Sequence, residues 1–133
     1  MRALRVLIIE DEALIALLFE EVLIEIGHKV CASERTQAGA IAVAARCQPD
    51  LIISDVNLHG GDGIQAVATI LTSGFVPHIF VSGNVIDHTV LNPAACVLQK
   101  PFTEPQLIAA IARAIDPANV LVGKRHAENL RGS

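Results

Sequence analysis

The stretch LIISDVNLHGGDG, residues 51–63, contains the features that decide the fold. Residues 51–54 form a short, mostly apolar run, which is typical of a strand buried on both faces of a parallel sheet. The run ends at Asp55, and the glycines Gly60 and Gly61 within residues 59–62 indicate a turn. The pattern therefore predicts a buried strand that ends on a carboxylate.

Four other short apolar runs share this character, and amphipathic segments with helical periodicity separate the five. The predicted strands are residues 5–10, 29–33, 51–54, 78–82 and 96–99, and the predicted helices are residues 12–26, 36–47, 64–72 and 104–115. This alternation predicts an α/β fold, a doubly wound five-stranded parallel sheet with helices on both faces. Between the last two strands, Gly83, Asn84, Asn92 and Pro93 disfavour a helix, so we expect the fourth helix to be short, distorted or mobile.

Length and composition restrict the class of protein. The 133 residues suit one domain, which we expect to span residues 1–120, followed by a C-terminal tail at residues 121–133 with no effector domain. Residues 126–133 are polar and are expected to be frayed. No apolar run approaches the roughly 20 residues of a membrane span, and we see no signal peptide, so we expect a cytoplasmic protein. A net charge of −4 without a basic cluster argues against direct DNA binding. The scattered Cys31, Cys47 and Cys96 are expected to be reduced.

Several polar residues follow the predicted strands directly. They are Glu10, Asp11, Asp55, Ser82 and Lys100. Ligands of such sheets bind at the carboxyl ends of the strands, so we expect these side chains to meet there. Three carboxylates in one crevice need a cation, and oxygen ligands suit Mg²⁺ or Mn²⁺. Asp55 can then act as a nucleophile toward phosphorus, while Lys100 and the Ser82 hydroxyl contact the phosphoryl oxygens.

These motifs, in this order, resemble those of the response regulator receiver family over about residues 4–116. The matching segments are IIEDE around Glu10 and Asp11, LIISDVNLHGGDG around Asp55, IFVSGN around Ser82 and QKPF around Lys100. The resemblance implies a flavodoxin-like fold with Asp55 as phosphoacceptor. It further implies that Asp11 binds the metal directly, Glu10 through water, and Asn57 through its backbone carbonyl. The Lys100–Pro101 peptide bond is expected to be cis.

Three departures from the family pattern affect the expected response. Glu10 stands where Asp is usual, and Val97 stands where the family has a switch aromatic on the fifth strand. The segment between Ser82 and Lys100 is also short. PHIFVSGN, residues 77–84, is similar to the atypical bacterial receivers known by a Phe-Ala-Thr-Gly motif, which are often stand-alone.

The resemblance implies a single-domain phosphorylation switch rather than an enzyme, apart from self-catalysed phosphorylation and dephosphorylation. A sensor histidine kinase or a phosphotransfer protein would donate the phosphoryl group, and the output would reach an unknown protein as a phosphorelay shuttle, a sink or an interaction switch. Two alternatives remain. Val97 favours a pseudo-receiver that binds proteins without phosphorylation, and an aspartyl phosphatase would need an acid where Asn57 stands.

Two features have more than one interpretation. His59 follows Asp55 closely, and we interpret it as a solvated loop histidine, although contact with the site is the alternative. The helix at residues 104–115 is apolar over much of its surface. It either packs on the sheet with ordinary surface alanines or, with the fifth strand, forms a homodimer or partner surface.

Overall fold

The computed structural model describes residues 2–131, except the side chain of residue 131. The strands are β1 (Arg5–Ile9), β2 (Lys29–Glu34), β3 (Leu51–Asp55), β4 (Asn57–Leu58), β5 (Gly61–Asp62), β6 (His78–Ser82) and β7 (Cys96–Gln99). The α-helices are α1 (Ala13–Glu25), α2 (Gln37–Cys47), α3 (Gly63–Leu71), α4 (Glu104–Ile115) and α5 (Pro117–Arg131). No helix within residues 2–131 is both long and apolar enough to cross a membrane.

Five strands form one parallel sheet in the order β2-β1-β3-β6-β7, while β4 and β5 form a separate antiparallel hairpin. The chain moves outward from β1 to β2 and then returns to place β3 on the other side of β1. The strand order therefore switches between β1 and β3, where Ile9 pairs with Ser54. The predicted fold class is confirmed, and ligands of such sheets bind at this switch point.

Alternate residues of each strand face opposite sides of the sheet, which explains why the central strands β1, β3 and β6 are mostly apolar on both faces. Val6 and Ile8 pack in one core with Phe19 of α1 and Leu107 of α4. Leu7 and Ile9, one position along, belong to the opposite core with side chains of α2 and α3. That second core includes Ala40, Ala44, Ala66, Val67 and Ile70. Both faces are covered, so register is fixed strongly by burial.

The segment between β6 and β7 contains no α-helix. Its regular structure is a single 3₁₀ turn, His88–Val90, at which the Asp87 carboxylate accepts from the Thr89 N–H over 3.0 Å. This agrees with the expectation of a short, irregular fourth helix. Part of the sheet face beside α3 is therefore left for another element to cover.

The C-terminal segment differs from its prediction, because residues 117–131 form helix α5 rather than a frayed tail, and α4 is not the last helix. Pro117 suits the first turn of a helix, and the Asp116 carboxylate accepts from Ala118 N over 2.9 Å. Gly123 is buried against the ring of Phe75. The mostly polar composition of this segment did not indicate that a few of its residues pack against the domain. Residues 132–133 lie outside the described part, and the boundary at residue 120 stays a prediction.

Helix α5 reaches the side of the sheet where the fourth helix is missing. A cavity of about 460 Å³ lies between α3, β6, the 3₁₀ segment and the end of α5. Its lining includes Val67, Phe80, Leu91, His126 and Ala127. The Asn119 amide donates to Ala94 O over 2.9 Å and ties α5 to the loop before β7.

The cysteines also differ in part from their prediction. Cys31 on β2 and Cys47 at the end of α2 are joined by a disulfide with a Cα–Cα separation of 5.9 Å, so the expectation of three reduced cysteines is wrong for these two. They lie 16 positions apart and meet because α2 packs back on β2, a tertiary contact that spacing alone does not reveal. Cys96 is a free thiol.

Candidate functional site

Three carboxylates meet at the switch point of the sheet. Glu10 and Asp11 follow β1, and Asp55 is the last residue of β3, its neighbour in the sheet. All three residues are buried, and each offers an oxygen within 4.8 Å of oxygens of the other two. The structure therefore brings together the acidic residues that the sequence placed at strand ends.

Lys100 approaches this cluster from the end of β7. Its Nζ lies 3.3 Å from Asp55 Oδ2 and 3.9 Å from Glu10 Oε1. The Lys100–Pro101 peptide bond is cis, as the family resemblance implied. One positive charge thus faces three carboxylates, which leaves the cluster with a deficit of positive charge.

The pKa of Glu10 reflects mainly its burial, and the neighbouring negative charge adds to the effect. Burial raises the pKa of Glu10 to about 7, with the nearby Asp55 charge acting in the same direction, while the Glu12 N–H and Lys100 act against it. Its Oε1 is buried and has no hydrogen-bond partner among the described residues. An orphaned carboxylate oxygen beside two other acids fits a hard divalent cation such as Mg²⁺ or Mn²⁺, with Glu10, Asp11 and Asp55 as the available oxygen donors.

Asp11 is held by residues outside the acidic cluster. Its Oδ2 accepts from the His59 backbone N–H over 2.8 Å and also contacts His59 Nδ1. Its backbone carbonyl accepts from the Arg35 guanidinium over 3.1 Å. Burial tends to raise the pKa of Asp11, but the hydrogen bonds from His59 and the neighbouring Glu10 outweigh it, and the net pKa is lowered. Asp11 is therefore ready to bind a cation in its charged form.

Asn57 and Ser82 are placed less directly. The Asn57 backbone N–H donates to Asp55 Oδ1 over 3.2 Å, and the role of its carbonyl as a metal ligand stays a prediction. The Ser82 hydroxyl donates to Asn84 O over 2.7 Å and accepts from Asn84 N over 3.1 Å. Ser82 is thus turned toward the following loop, but its carbonyl accepts from Lys100 N over 2.8 Å, which joins the ends of β6 and β7.

Sequence reasoning missed Arg35 and undervalued His59. Arg35 immediately follows β2, the strand beside β1. This position at the carboxyl end of a neighbouring strand could have indicated that Arg35 lies near the site. The His59 side chain is 90% exposed, as expected for a loop residue, yet it contacts Asp11. The turn geometry that brings its main chain and ring to one oxygen is not visible in the spacing.

The family model of the response regulator receiver domain matches residues 6–112. This range contains the three acids, Ser82 and Lys100. The chain belongs to the response regulator receiver family.

Relatives of known sequence and structure agree with this assignment. The receiver is 34% identical over 118 residues to the phyllosphere-induced regulator PhyR of Methylorubrum extorquens, covering 85% of this chain and 44% of PhyR. It is 34% identical over 115 residues to the transcriptional regulatory protein PdtaR of Mycobacterium tuberculosis, covering 84% of this chain and 56% of PdtaR. The receiver thus spans about half the length of these curated relatives.

Two solved receivers are similar in structure. The PhyR receiver domain of Erythrobacter litoralis superposes with a TM-score of 0.77 at 32% identity, covering 85% of this chain and 90% of that one. SdrG from Sphingomonas melonis gives a TM-score of 0.73 at 32% identity, covering 87% of this chain and all of that one. The fold and the match with PhyR-like receivers therefore agree with the motif comparison.

Proposed function

We propose that this receiver accepts a phosphoryl group on Asp55 from a phosphohistidine of a sensor kinase or phosphotransfer protein, in a reaction that depends on Mg²⁺ or Mn²⁺. The observation that carries the proposal is the position of Asp55 between two acids and one amine. Its carboxylate lies 3.3 Å from the Lys100 Nζ and within 4.8 Å of Glu10 and Asp11. A packing role alone gives no reason for three buried acids to surround a single lysine.

Phosphoryl transfer to Asp55 exchanges a P–N bond for a P–O bond. An oxygen of the Asp55 carboxylate attacks phosphorus and forms the new P–O bond, while the P–N bond to the donor histidine breaks and its electron pair returns to the imidazole. A divalent cation held by Glu10, Asp11 and Asp55 would neutralise the charge of the phosphoryl group. The Lys100 amine donates to a phosphoryl oxygen, and the Asn57 N–H steadies Asp55 through Oδ1.

The response to phosphorylation would run through the ends of β6 and β7. To donate to a phosphoryl oxygen, the Ser82 hydroxyl must release the hydrogen bond that it donates to Asn84 O. That rearrangement would affect the segment that follows β6, which contains no α-helix and borders the cavity under α5. Val97 is half-buried opposite Phe80 and offers no ring to follow Ser82, so we propose that the signal passes to residues 83–92 and α5 instead.

The output is proposed to be a protein contact, in a phosphorelay shuttle, a sink or an interaction switch of the bacterial cytoplasm. A groove of about 590 Å³ lies along the β7 edge and α4, lined by Val97, Gln99, Ala109 and Arg113 among others. This is the surface for which a homodimer was predicted. DNA contact by this chain is not part of the proposal.

Incubation with a small acyl phosphate and Mg²⁺, followed by intact mass measurement, tests the proposal. We expect one added phosphoryl group on the wild type, none after removal of the divalent cation, and none on Asp55→Asn. Equal labelling of Asp55→Asn would contradict the assignment. No labelling, together with no measurable Mg²⁺ binding, would support the pseudo-receiver alternative instead.

A further inference from the structure

His59 places two donors on one oxygen of Asp11. The backbone N–H reaches Oδ2 over 2.8 Å, and the ring nitrogen Nδ1 contacts the same atom. A carboxylate oxygen can only accept, so the ring nitrogen that faces it carries its proton. Hydrogen bonds to a charged carboxylate are stronger than neutral ones, so these two donors hold Oδ2 toward the turn that carries His59.

The hairpin that carries His59 is itself fixed by the loop before α2. Thr36 forms a bridge with Gly60, and the Gln37 side-chain oxygen accepts from Asp62 N over 3.0 Å. A side chain on Gly60 would meet the Thr36 side chain, so the two segments approach closely. His59 is therefore exposed to solvent but carried on an anchored turn.

His59 lies beside the acidic cluster rather than in it. Glu10, Asp11 and Asp55 each offer a ligand atom, and these three atoms all lie within 4.8 Å of one another. Among the described residues, His59 is not a member of this group. The carboxylate of Asp11 has about four lone-pair positions, and its contacts with His59 involve Oδ2 alone. The contacts with His59 therefore leave Oδ1 for a cation while they persist.

We propose that His59 is a positioning residue for the cation site: it orients the Asp11 carboxylate through Oδ2 so that Asp11 binds the divalent ion in a pre-set geometry. This inference rests on the proposed function, because it assumes that the acidic cluster binds Mg²⁺ or Mn²⁺. Residues that hold a metal ligand from outside typically change metal affinity about 10- to 100-fold when they are removed.

Binding of Mn²⁺, measured by the electron paramagnetic resonance signal of the free ion, tests the proposal on the full chain. We expect His59→Ala to weaken Mn²⁺ binding by about 10- to 100-fold. We expect His59→Asn to recover most of that loss, because its amide N–H can take the place of the Nδ1 donor. The exposed His88 is the matched control, and His88→Ala should bind as the wild type does.

The outcomes distinguish a failure of the proposed function from a failure of the positioning role of His59. If the wild type binds no Mn²⁺, the proposed function fails and this inference fails with it. If the wild type binds and His59→Ala binds equally well, only the positioning role is wrong. If His59→Ala binds Mn²⁺ more tightly than the wild type does, the ring competes with the cation. If His59→Asn binds Mn²⁺ no more tightly than His59→Ala does, the side-chain donor is irrelevant. Either result overturns the proposal.

Discussion

Lys100 Nζ lies 3.3 Å from Asp55 Oδ2, and this pair joins the ends of β7 and β3 across the intervening strand β6. The lysine also lies 3.9 Å from Glu10 Oε1, so one amine serves two acids from different strands. The Lys100 backbone N–H donates to Ser82 O. The position of the amine is thus determined by the sheet rather than by a flexible loop.

Replacing that amine should slow phosphorylation more than it weakens the fold. For Lys100→Met we expect labelling by acyl phosphate to slow by about 10- to 100-fold, since a hydrogen bond to a charged group contributes roughly 1.5–3 kcal/mol. Lys124→Met, an exposed substitution on α5, is the control and should leave the rate unchanged. An unaltered rate in Lys100→Met would remove the lysine from the proposed chemistry.

Gly63 should tolerate no side chain. A Cβ there would overlap the carbonyl oxygen of Asp55 and lie 2.6 Å from Ser54 Oγ. We expect Gly63→Ala to lower the free energy of unfolding by about 1–3 kcal/mol and to slow labelling of Asp55, because crowding shifts the phosphoacceptor backbone. Gly83→Ala, which enters open space, should change stability by no more than about 1 kcal/mol. Denaturant unfolding of both variants makes the comparison, and equal stability would contradict it.

His78 should make the fold less stable in mild acid. Burial lowers the pKa of His78, against the raising effect of the Val76 carbonyl that its ring nitrogen contacts. The unfolded chain takes up a proton near the ordinary value of 6.5, whereas the folded protein does so only at lower pH. The unfolded state then binds more protons at this side chain, so the contribution of His78 to stability falls as the pH drops below 6.5, whereas the raised pKa of Glu10 acts in the opposite direction.

Urea unfolding across this pH range measures the effect. His78→Phe keeps an aromatic ring beside Phe75 and Phe80 but does not titrate, so its stability should depend less on pH. The exposed His88→Gln should retain the wild-type dependence. If His78→Phe loses stability with acid as steeply as the wild type does, the assignment to His78 is wrong.

Asn119 should hold α5 in place. Its amide donates to Ala94 O over 2.9 Å and to Ala114 O over 3.3 Å. In Asn119→Ala we expect faster hydrogen–deuterium exchange across residues 117–131, with little change in β1 and β3. Leu121→Ala, on an exposed part of the same helix, is the control. Unchanged exchange in Asn119→Ala would mean that other contacts dock the helix.

Much of the fold was predictable because burial on two faces leaves a strong local pattern. The runs around Val6, Ile53 and Val81 are apolar at every position, which few structures other than a covered parallel sheet require. Helix α5 was missed because its contacts with the rest of the domain are narrow and involve small residues such as Gly123. The Cys31–Cys47 pairing was missed because it depends on how α2 lies against β2.

The candidate site was predictable where the topology alone brings residues together. Glu10, Asp11, Asp55 and Lys100 all lie at the carboxyl ends of strands of one parallel sheet, so their meeting follows from strand order. The contact of His59 with Asp11 was not predictable in the same way. It depends on the path of a hairpin six residues long, where the direction of a single side chain is set by the turn.

Location of the phosphoryl group within the chain tests the central claim most directly. The protein is incubated with acyl phosphate and Mg²⁺, reduced with borohydride to convert an aspartyl phosphate to homoserine, digested, and sequenced by mass spectrometry. We predict homoserine at position 55, dependent on the divalent cation and absent from Asp55→Asn. Homoserine at position 11 is not expected, and conversion of Asp11 instead of Asp55, or of no residue in protein that binds Mg²⁺, would contradict the account.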